Sequence, residues 1–250
     1  PDSAMKKQKK NTTHPSLPFP KLIRGTLVRR YKRFLADVVL EDGRIVTAHC
    51  PNTGSMKGCS EAGRPVYLSK SDNPKRKLSY TWELIEMPSS LVGVNTGIPN
   101  RLVYSALSAG TVPELSGYEQ VRKEVSVGNG SRIDIVMEDR RANRCFVEIK
   151  NCTLVEDGVA LFPDAVTGRG LRHLLALSQL VSKGHRCAMF YLIQRTDAAF
   201  FAPAAAIDPE YSKGLAAAEA SGVKIIAYDV HIDLDGVALN RKLPVRLPGN

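Results

Sequence analysis

The sequence lacks the features of a membrane or secreted protein. No apolar run approaches the roughly 18–20 residues needed to cross a bilayer, and no N-terminal signal segment is present. The cysteines are few and odd in number, and none forms a Cys-x-x-Cys pair, so neither a disulfide framework nor a structural zinc site is predicted. We therefore expect reduced thiols, a cytoplasmic location and no membrane partner.

Several catalytic signatures are also missing. Lys57-Gly58 is not part of a Gly-x-x-x-x-Gly-Lys-Ser/Thr phosphate loop, which excludes the common class of nucleotide hydrolases. His-Glu-x-x-His and Gly-x-Ser-x-Gly are absent, so zinc peptidases and serine hydrolases are not indicated. The predicted helices alternate with strands and give no convincing helix-turn-helix, which favours an enzyme over a regulator that reads base sequence.

Acidic residues are scarce near the N-terminus. The chain carries a net charge of +10, and residues 1–33 hold ten basic residues and one acid, a net +9. Such a segment offers phosphate contacts whose strength falls with added salt, so nucleic acid is the expected partner. The arm over residues 1–16 is expected to be disordered, and Lys6–Lys10 fits a solvated tail equally well. Five further basic residues alternate with apolar ones and are therefore stronger candidates for phosphate contacts: Arg24, Arg29, Arg30, Lys32 and Arg33.

The 250 residues are enough for two domains, and the pattern changes near Pro88. Residues 17–88 show short β-like runs, at 22–31, 34–40, 44–49, 65–69 and 78–87, which suit a small barrel of the OB type. Aromatic residues among its basic ones suit base stacking, although half or more are expected in the core: Tyr31, Phe34, Tyr67, Tyr80 and Trp82.

Residues 89–240 mix helical and strand periods, so the fold class is α/β (α+β), with a mixed sheet flanked by helices. The predicted helices cover 101–109, 171–183 and 209–221. The predicted strands cover 118–127, 132–138, 145–154, 187–194 and, as the last, 223–230.

Two of these strands carry acids among apolar residues. Glu148 and Lys150 lie two residues apart and so share a strand face, and a hairpin through residues 139–144 would bring Asp134 beside them. Paired carboxylates suit Mg²⁺ or Mn²⁺, and a lysine beside them could orient or deprotonate a metal-bound water. The implied reaction is phosphodiester hydrolysis. A surface hairpin with Lys150 paired to either acid is the simpler alternative, worth about 0–1 kcal/mol.

The order and spacing of several motifs resemble the sugar fermentation stimulation protein A (SfsA) family from about Leu17 to Leu239. The resemblance rests on Leu22-Ile23-Arg24-Gly25, His49-Cys50-Pro51-Asn52-Thr53-Gly54-Ser55-Met56, Asn95-Thr96, Ser131-Arg132-Ile133-Asp134, Val147-Glu148-Ile149-Lys150-Asn151-Cys152-Thr153-Leu154, Phe162-Pro163-Asp164-Ala165 and Arg169-Gly170-x-x-His173-Leu174. It implies an OB-like N-terminal domain, a nuclease fold of the PD-(D/E)XK type and DNA binding.

The nuclease signature implied by the resemblance gives roles to individual residues. It places the metal-binding acids at Asp134 and Glu148, a further metal ligand at the carbonyl of Ile149 and the catalytic lysine at Lys150. Ile133 stands where the strict signature has proline. Glu124 is the candidate for a further catalytic acid, with Glu119 as the alternate.

Other residues are candidate nucleic-acid contacts. The helix after the third strand faces the metal in similar nucleases, so Arg169 and His173 are expected near the scissile phosphate, although both could equally serve the helix itself. Asn52 and Thr53 belong to a polar loop of a kind that often contacts phosphate and sugar. Arg132 precedes Asp134 by two residues and is the last of these candidates.

The sequence thus predicts a DNA-binding protein with a Mg²⁺-dependent (or Mn²⁺-dependent) phosphodiesterase site and little sequence preference. Its partner would be single- or double-stranded DNA, with RNA as a further possibility. The alternative is a non-catalytic DNA-binding regulator of sugar (maltose) metabolism genes. A third hypothesis is a catalytically inactive nuclease fold that binds DNA through an intact metal site. No oligomeric state is predicted.

Overall fold

The computed structural model describes residues 14–126 and 132–248. Its strands are β1 (Ser16–Pro18), β2 (Leu22–Tyr31), β3 (Leu35–Leu40), β4 (Ile45–His49), β5 (Pro65–Lys70), β6 (Tyr80–Met87), β7 (Ser90–Gly93), β8 (Gln120–Ser126), β9 (Arg132–Glu138), β10 (Arg144–Cys152), β11 (Leu154–Glu156), β12 (Val159–Phe162), β13 (Arg186–Ile193), β14 (Phe200–Pro203), β15 (Lys224–Ile232) and β16 (Gly236–Lys242). Its helices are α1 (Gly97–Ser108), α2 (Gly168–Ser182) and α3 (Pro209–Ala220).

Strands β2 to β6 form a closed barrel. They pair in the order β4-β3-β2-β5-β6, and a parallel contact between β4 and β6 closes the sheet on itself. This strand order is that of the OB fold, which confirms the predicted N-terminal architecture. The interior is apolar and includes the fully buried Trp82 and Leu68.

The second domain is built on a seven-stranded mixed sheet in the order β1-β16-β15-β13-β10-β9-β8. The three central strands, β15, β13 and β10, run parallel, and the outer ones are antiparallel. Side chains of α1 share one core with one face of this sheet, and side chains of α2 and α3 share another with the opposite face. The predicted mixed sheet flanked by helices is confirmed.

Side-chain alternation along β10 decides which residues reach each face. Val147 and Ile149 pack into the core that contains α1, whereas Phe146 and Cys152 pack into the core that contains α2 and α3. Glu148 lies on the α2 side, buried rather than at a wet surface.

Some predicted boundaries differ from the structure. Ser16–Pro18 pairs with β16, because its backbone completes the edge of the large sheet. His14 donates to or accepts from Thr111, so residues 14–16 of the predicted disordered arm are ordered, while residues 1–13 lie outside the described residues. β7 extends the barrel sheet past residue 88. The last strand of the large sheet in chain order is β16, since the chain turns back after β15 and pairs antiparallel with it.

In the described ranges, no helix has both the length and the apolar character to cross a membrane.

Close packing of α2 depends on Gly170. A Cβ at this position would lie 2.8 Å from Thr167 Cγ2 and 2.9 Å from Tyr211 Cε2. Neither neighbour can easily move, because the Thr167 side chain caps the helix by accepting the Gly170 N–H and Tyr211 is fully buried in α3. Glycine therefore lets α2 approach α3 and fixes where the next turn of α2 lies.

We expect Gly170→Ala to lower the free energy of unfolding by about 1–3 kcal/mol, the usual result of overpacking. Gly168→Ala is the matched control in the same helix, because a Cβ there meets only Arg172 Nη1 at 3.8 Å. It should gain up to about 1 kcal/mol from helix propensity. Denaturant unfolding measures both changes, and equal changes would contradict this role for Gly170.

Candidate active site

The first carboxylate of the site, Asp134, is held where β9 and β10 separate. Their ladder runs from Arg144–Glu138 to Val147–Ile135 and then stops. Beyond it, Asp134 Oδ2 accepts the backbone N–H of Ile149 at 2.8 Å, and Oδ1 accepts Nδ2 of Asn100 from α1 at 3.0 Å. The carboxylate replaces a backbone acceptor in the ladder, and both of its oxygens are fixed.

The second carboxylate, Glu148, is only 2% exposed. Its Oε1 accepts Nζ of Lys150 at 2.7 Å and also contacts Nδ1 of His173. Its Oε2 is buried and has no hydrogen-bond partner within the described residues. A buried carboxylate oxygen without a partner is costly, so this atom is set up for a ligand that the protein does not itself supply.

The two acids influence each other's protonation. Burial, and then the negative charge of Glu148, raise the pKa of Asp134. Burial also acts to raise the pKa of Glu148, but the hydrogen bond with His173 and the charge of Lys150 outweigh it and lower that pKa. The result is a shared region of negative charge in a poorly solvated place, where a cation would be stabilised.

Helix α2 brings two of the predicted residues to this pair. His173 contacts Glu148 through Nδ1, and Lys150 Nζ lies 3.3 Å from the same ring nitrogen. On the outer side, Arg169 Nε lies 3.4 Å from His173 Nε2. Glu148, Lys150, His173 and Arg169 therefore form one connected group, whose outer end at Arg169 is exposed to solvent. Asp134 lies close enough for the charges of Glu148 and Lys150 to act on its pKa.

The candidate third acids do not join this group. Glu124 lies between the β8–β9 pairs Lys123–Ile135 and Val125–Ile133, but its φ is 50° and its side chain is 71% exposed. Its nearest charged partner is Arg132, at 3.7 Å, and Arg132 is itself largely exposed. Glu119 pairs with Arg140 at 2.9 Å, at the far end of β8. The prediction of Glu124 as a third acid assumed regular alternation, and the left-handed backbone at this residue breaks that alternation.

The basic residues predicted on the barrel have different environments. Arg24 lies 3.7 Å from Glu41, and Arg29 pairs with Asp37 at 2.9 Å. Arg30, predicted as a nucleic-acid contact, instead uses its guanidinium within the protein, where it donates to the carbonyls of residues 52, 54 and 55. Lys32 and Arg33 are exposed, and in the described part of the chain neither makes a hydrogen bond or an ion pair.

The polar loop after β4 is mainly a structural element. Asn52 is 5% exposed, and its side chain accepts the N–H of Gly54 at 2.9 Å, so it shapes the turn at the edge of a cavity that it also lines. Thr53 is exposed and borders a cavity of about 310 Å³ between the two domains. Asn151, the residue after Lys150, and Asp164 line the same cavity.

Sequence reasoning missed Asn100, which orients Asp134. An asparagine in the first turns of a helix has no spacing relation to a strand 34 residues later, so no sequence signal identifies it. Sequence reasoning also missed Tyr211. This residue is fully buried, its ring contacts Phe162, and its hydroxyl forms a hydrogen bond with that of Tyr191 at 2.6 Å.

Comparison with known proteins places most of the chain in one family. The profile described as "SfsA N-terminal OB domain" matches residues 28–94, and "Sugar fermentation stimulation protein RE domain" matches residues 97–236. A sugar fermentation stimulation protein homolog of Geotalea uraniireducens is 53% identical over 231 residues, covering 92% of this chain and 99% of that relative. The homolog of Rhodospirillum rubrum is 51% identical over 239 residues, covering 91% and 98% respectively.

One solved structure also matches over most of both chains. The Pyrococcus furiosus SfsA structure, in complex with Ca²⁺, is similar with a TM-score of 0.84 and 26% identity, covering 92% of this chain and 98% of that one. The chain therefore belongs to the sugar fermentation stimulation protein A (SfsA) family.

Proposed function

We propose that the protein is a metal-dependent phosphodiesterase that cleaves nucleic acid, and that its main substrate is DNA. The observation that carries this proposal is the unpartnered Oε2 of Glu148 in a group that also contains Asp134 and Lys150. The net charge of +10 supports a polyanionic substrate. The Ca²⁺ complex of the Pyrococcus furiosus relative further supports a site for a divalent cation.

The donor set fits Mg²⁺ or Mn²⁺. Both acids offer hard oxygen ligands, and Mg²⁺ is usually held by one or two carboxylates, with waters and substrate phosphate oxygens completing its shell. Over residues 14–126 and 132–248, no group of three or more His, Cys, Asp or Glu side chains is arranged to hold an ion. We therefore assign Asp134 and Glu148 as the side-chain ligands and retain the carbonyl of Ile149 as a further candidate.

A bound cation would supply a more acidic water and stabilise negative charge on the phosphate. The protein's own part is positional. Lys150 places its ammonium beside Glu148, where it can orient the attacking water or stabilise charge that develops on the phosphate. Arg169 and His173 lie on the side of the group that reaches solvent, where a phosphate would enter.

The arrangement of helices favours turnover over sequence reading. A helix-turn-helix needs two helices joined by a turn of about 3–4 residues. In the described residues, each α-helix is separated from the next by at least two strands. A regulator that inserts a recognition helix into the major groove is therefore not supported by this part of the chain.

We expect Asp134→Asn to unfold at a higher temperature than the parent protein in EDTA at pH 7. The raised pKa of Asp134 means that its ionised form destabilises the folded state, and asparagine removes that charge at nearly constant shape. Its oxygen can accept the Ile149 N–H, and its NH₂ can donate to Asn100 once the Asn100 amide is turned over. Thermal unfolding followed by circular dichroism measures the difference. A midpoint below that of the parent would contradict this reading of the carboxylate pair.

Divalent cations should reverse this order of stability. Ca²⁺ or Mn²⁺ at about 100 times its Kd adds about 2.7 kcal/mol to the stability of a protein that binds it only when folded. The parent should gain this, and Asp134→Asn should gain little. Glu124→Gln is the matched control and should gain as much as the parent, because Glu124 is exposed and paired with Arg132. Equal gains in the parent and Asp134→Asn would remove Asp134 from the metal site.

Cleavage is tested on single-stranded, duplex and branched DNA and on RNA, with Mg²⁺, Mn²⁺ or EDTA. We expect metal-dependent cleavage that falls by about 100-fold or more in Lys150→Met, the usual loss when a catalytic proton donor or acceptor is removed. Affinity measured in EDTA should change by less than about threefold, since one phosphate contact contributes little to the total. Lys213→Met, which removes an exposed charge from α3, should cleave like the parent. Tight binding without cleavage of any substrate would instead support a binding protein.

A further inference from the structure

The turn between β2 and β3 consists of Lys32, Arg33 and Phe34 and has an unfavourable backbone. Lys32 has φ of 48° and Arg33 has φ of 66°, so two consecutive residues with side chains are left-handed. Tight hairpin turns require such angles but favour asparagine, aspartate or glycine, because a larger side chain crowds the backbone. The hairpin explains the angles, but it does not explain why lysine and arginine occupy them.

Neither cation is compensated by a contact in the folded protein. Within the described residues, no hydrogen bond or ion pair reaches the Lys32 or Arg33 side chain, although Arg24 and Arg29 on the same strand each have an acidic neighbour. A strained backbone whose side chains make no stabilising contact within the protein is typical of functional segments.

Phe34, the third residue of the turn, presents an aromatic ring to solvent. Its side chain is 47% exposed, whereas Trp82 is fully buried and Tyr67 is 9% exposed in the same domain. The ring therefore lies beside two unpaired positive charges. That combination, a flat apolar face next to cations, is what binds an unpaired base and its flanking phosphates.

The turn lies at the end of the barrel where the loop after β4 contacts the second domain. The carbonyl of Phe34 accepts the N–H of Cys50 at 2.8 Å, which joins the turn to the loop after β4. In that loop, the N–H of Met56 and the hydroxyl of Ser55 donate to Asp164 of the second domain. Two residues before Asp164, Phe162 packs on Tyr211 with ring centroids 5.3 Å apart. Burial is the largest cause that raises the pKa of Tyr211, and the negative charge of Glu148 adds to it, so these two side chains are close to each other.

We propose that the β2–β3 turn binds a single-stranded segment of nucleic acid, with Phe34 stacked on an unpaired base and Lys32 and Arg33 on its phosphates. This deepens the proposed function by naming the form of the substrate, and it rests on nucleic acid being the ligand. Bases in a duplex are stacked on each other, so their faces are closed to Phe34. The substrate would therefore be a single strand, or a junction that contains one.

The first test measures binding in EDTA, so that no cleavage occurs. Fluorescence anisotropy gives the Kd for a labelled oligothymidylate and for a hairpin duplex with the same number of phosphates, over a series of NaCl concentrations. The double variant Lys32→Asn with Arg33→Gly installs the residues that the turn favours, so it should unfold at a temperature no lower than the parent. Its slope of log K against log salt on the single strand should nevertheless shrink by about 1.4, since each neutralised phosphate contributes about 0.7.

A charge-matched control separates local contacts from net charge. Arg141→Asn with Lys183→Asn removes the same number of charges from two exposed positions, one in the turn between β9 and β10 and one after α2, at the end of the large sheet away from Lys150. It should keep nearly the parent slope. A slope that falls equally in both double variants, or in neither, would overturn the assignment of Lys32 and Arg33.

The second test addresses stacking. Phe34→Leu keeps an apolar side chain but loses the flat ring, and it should weaken single-strand binding by about tenfold while leaving duplex binding and the salt slope unchanged. Phe34→Trp should restore or exceed parent affinity. Equal losses on both substrates, or none on the single strand, would overturn the stacking proposal. Because these measurements need neither metal nor Lys150, their failure is distinguishable from a failure of the cleavage test.

Discussion

The central constraint on this molecule is the placement of two carboxylates where two strands separate, with one of their oxygens buried and unpaired. Asp134 is fixed by the Ile149 N–H and by Asn100, and Glu148 by Lys150 and His173. These four contacts come from three parts of the second domain: Ile149 and Lys150 from β10, Asn100 from α1, and His173 from α2. The sheet and its two helical layers therefore act together to hold negative charge in a place that water solvates poorly, which a bound cation would offset.

The parts of this arrangement that depend on local pattern could be predicted from the sequence. Alternation along β10 put Glu148 and Lys150 on one face, and their 2.7 Å contact agrees with it. Parts that depend on tertiary packing could not. Arg30 was predicted to contact phosphate, but its guanidinium binds carbonyls of the loop after β4. Asn100 could not be predicted as a partner of Asp134, because it lies 34 residues earlier in the sequence. Glu124 failed for a local reason, because its left-handed backbone broke the alternation on which the prediction depended.

The two domains have different proposed roles, cleavage in the second domain and binding of the single strand in the barrel. The second supplies the carboxylates and the lysine, and the barrel supplies an exposed basic turn beside the loop that contacts the second domain. Arginine serves two purposes on the same barrel strand, since Arg30 holds the loop that contacts Asp164 while Arg29 is paired with Asp37. Among the described residues, the Lys32 and Arg33 side chains have no hydrogen bond or ion pair, and both residues have a left-handed backbone. The proposed binding thus requires cationic side chains at two positions where a stable turn would favour asparagine, aspartate or glycine.

The most direct test of the central claim is to locate the metal itself. Crystals grown with Mn²⁺ and measured at the manganese absorption edge would show it as an anomalous peak. The account predicts one peak at about 2.1 Å from a carboxylate oxygen of both Asp134 and Glu148, with Glu148 Oε2 as a ligand. Manganese bound elsewhere, or an unchanged carboxylate pair with Glu148 Oε2 still unpaired at saturating Mn²⁺, would contradict it.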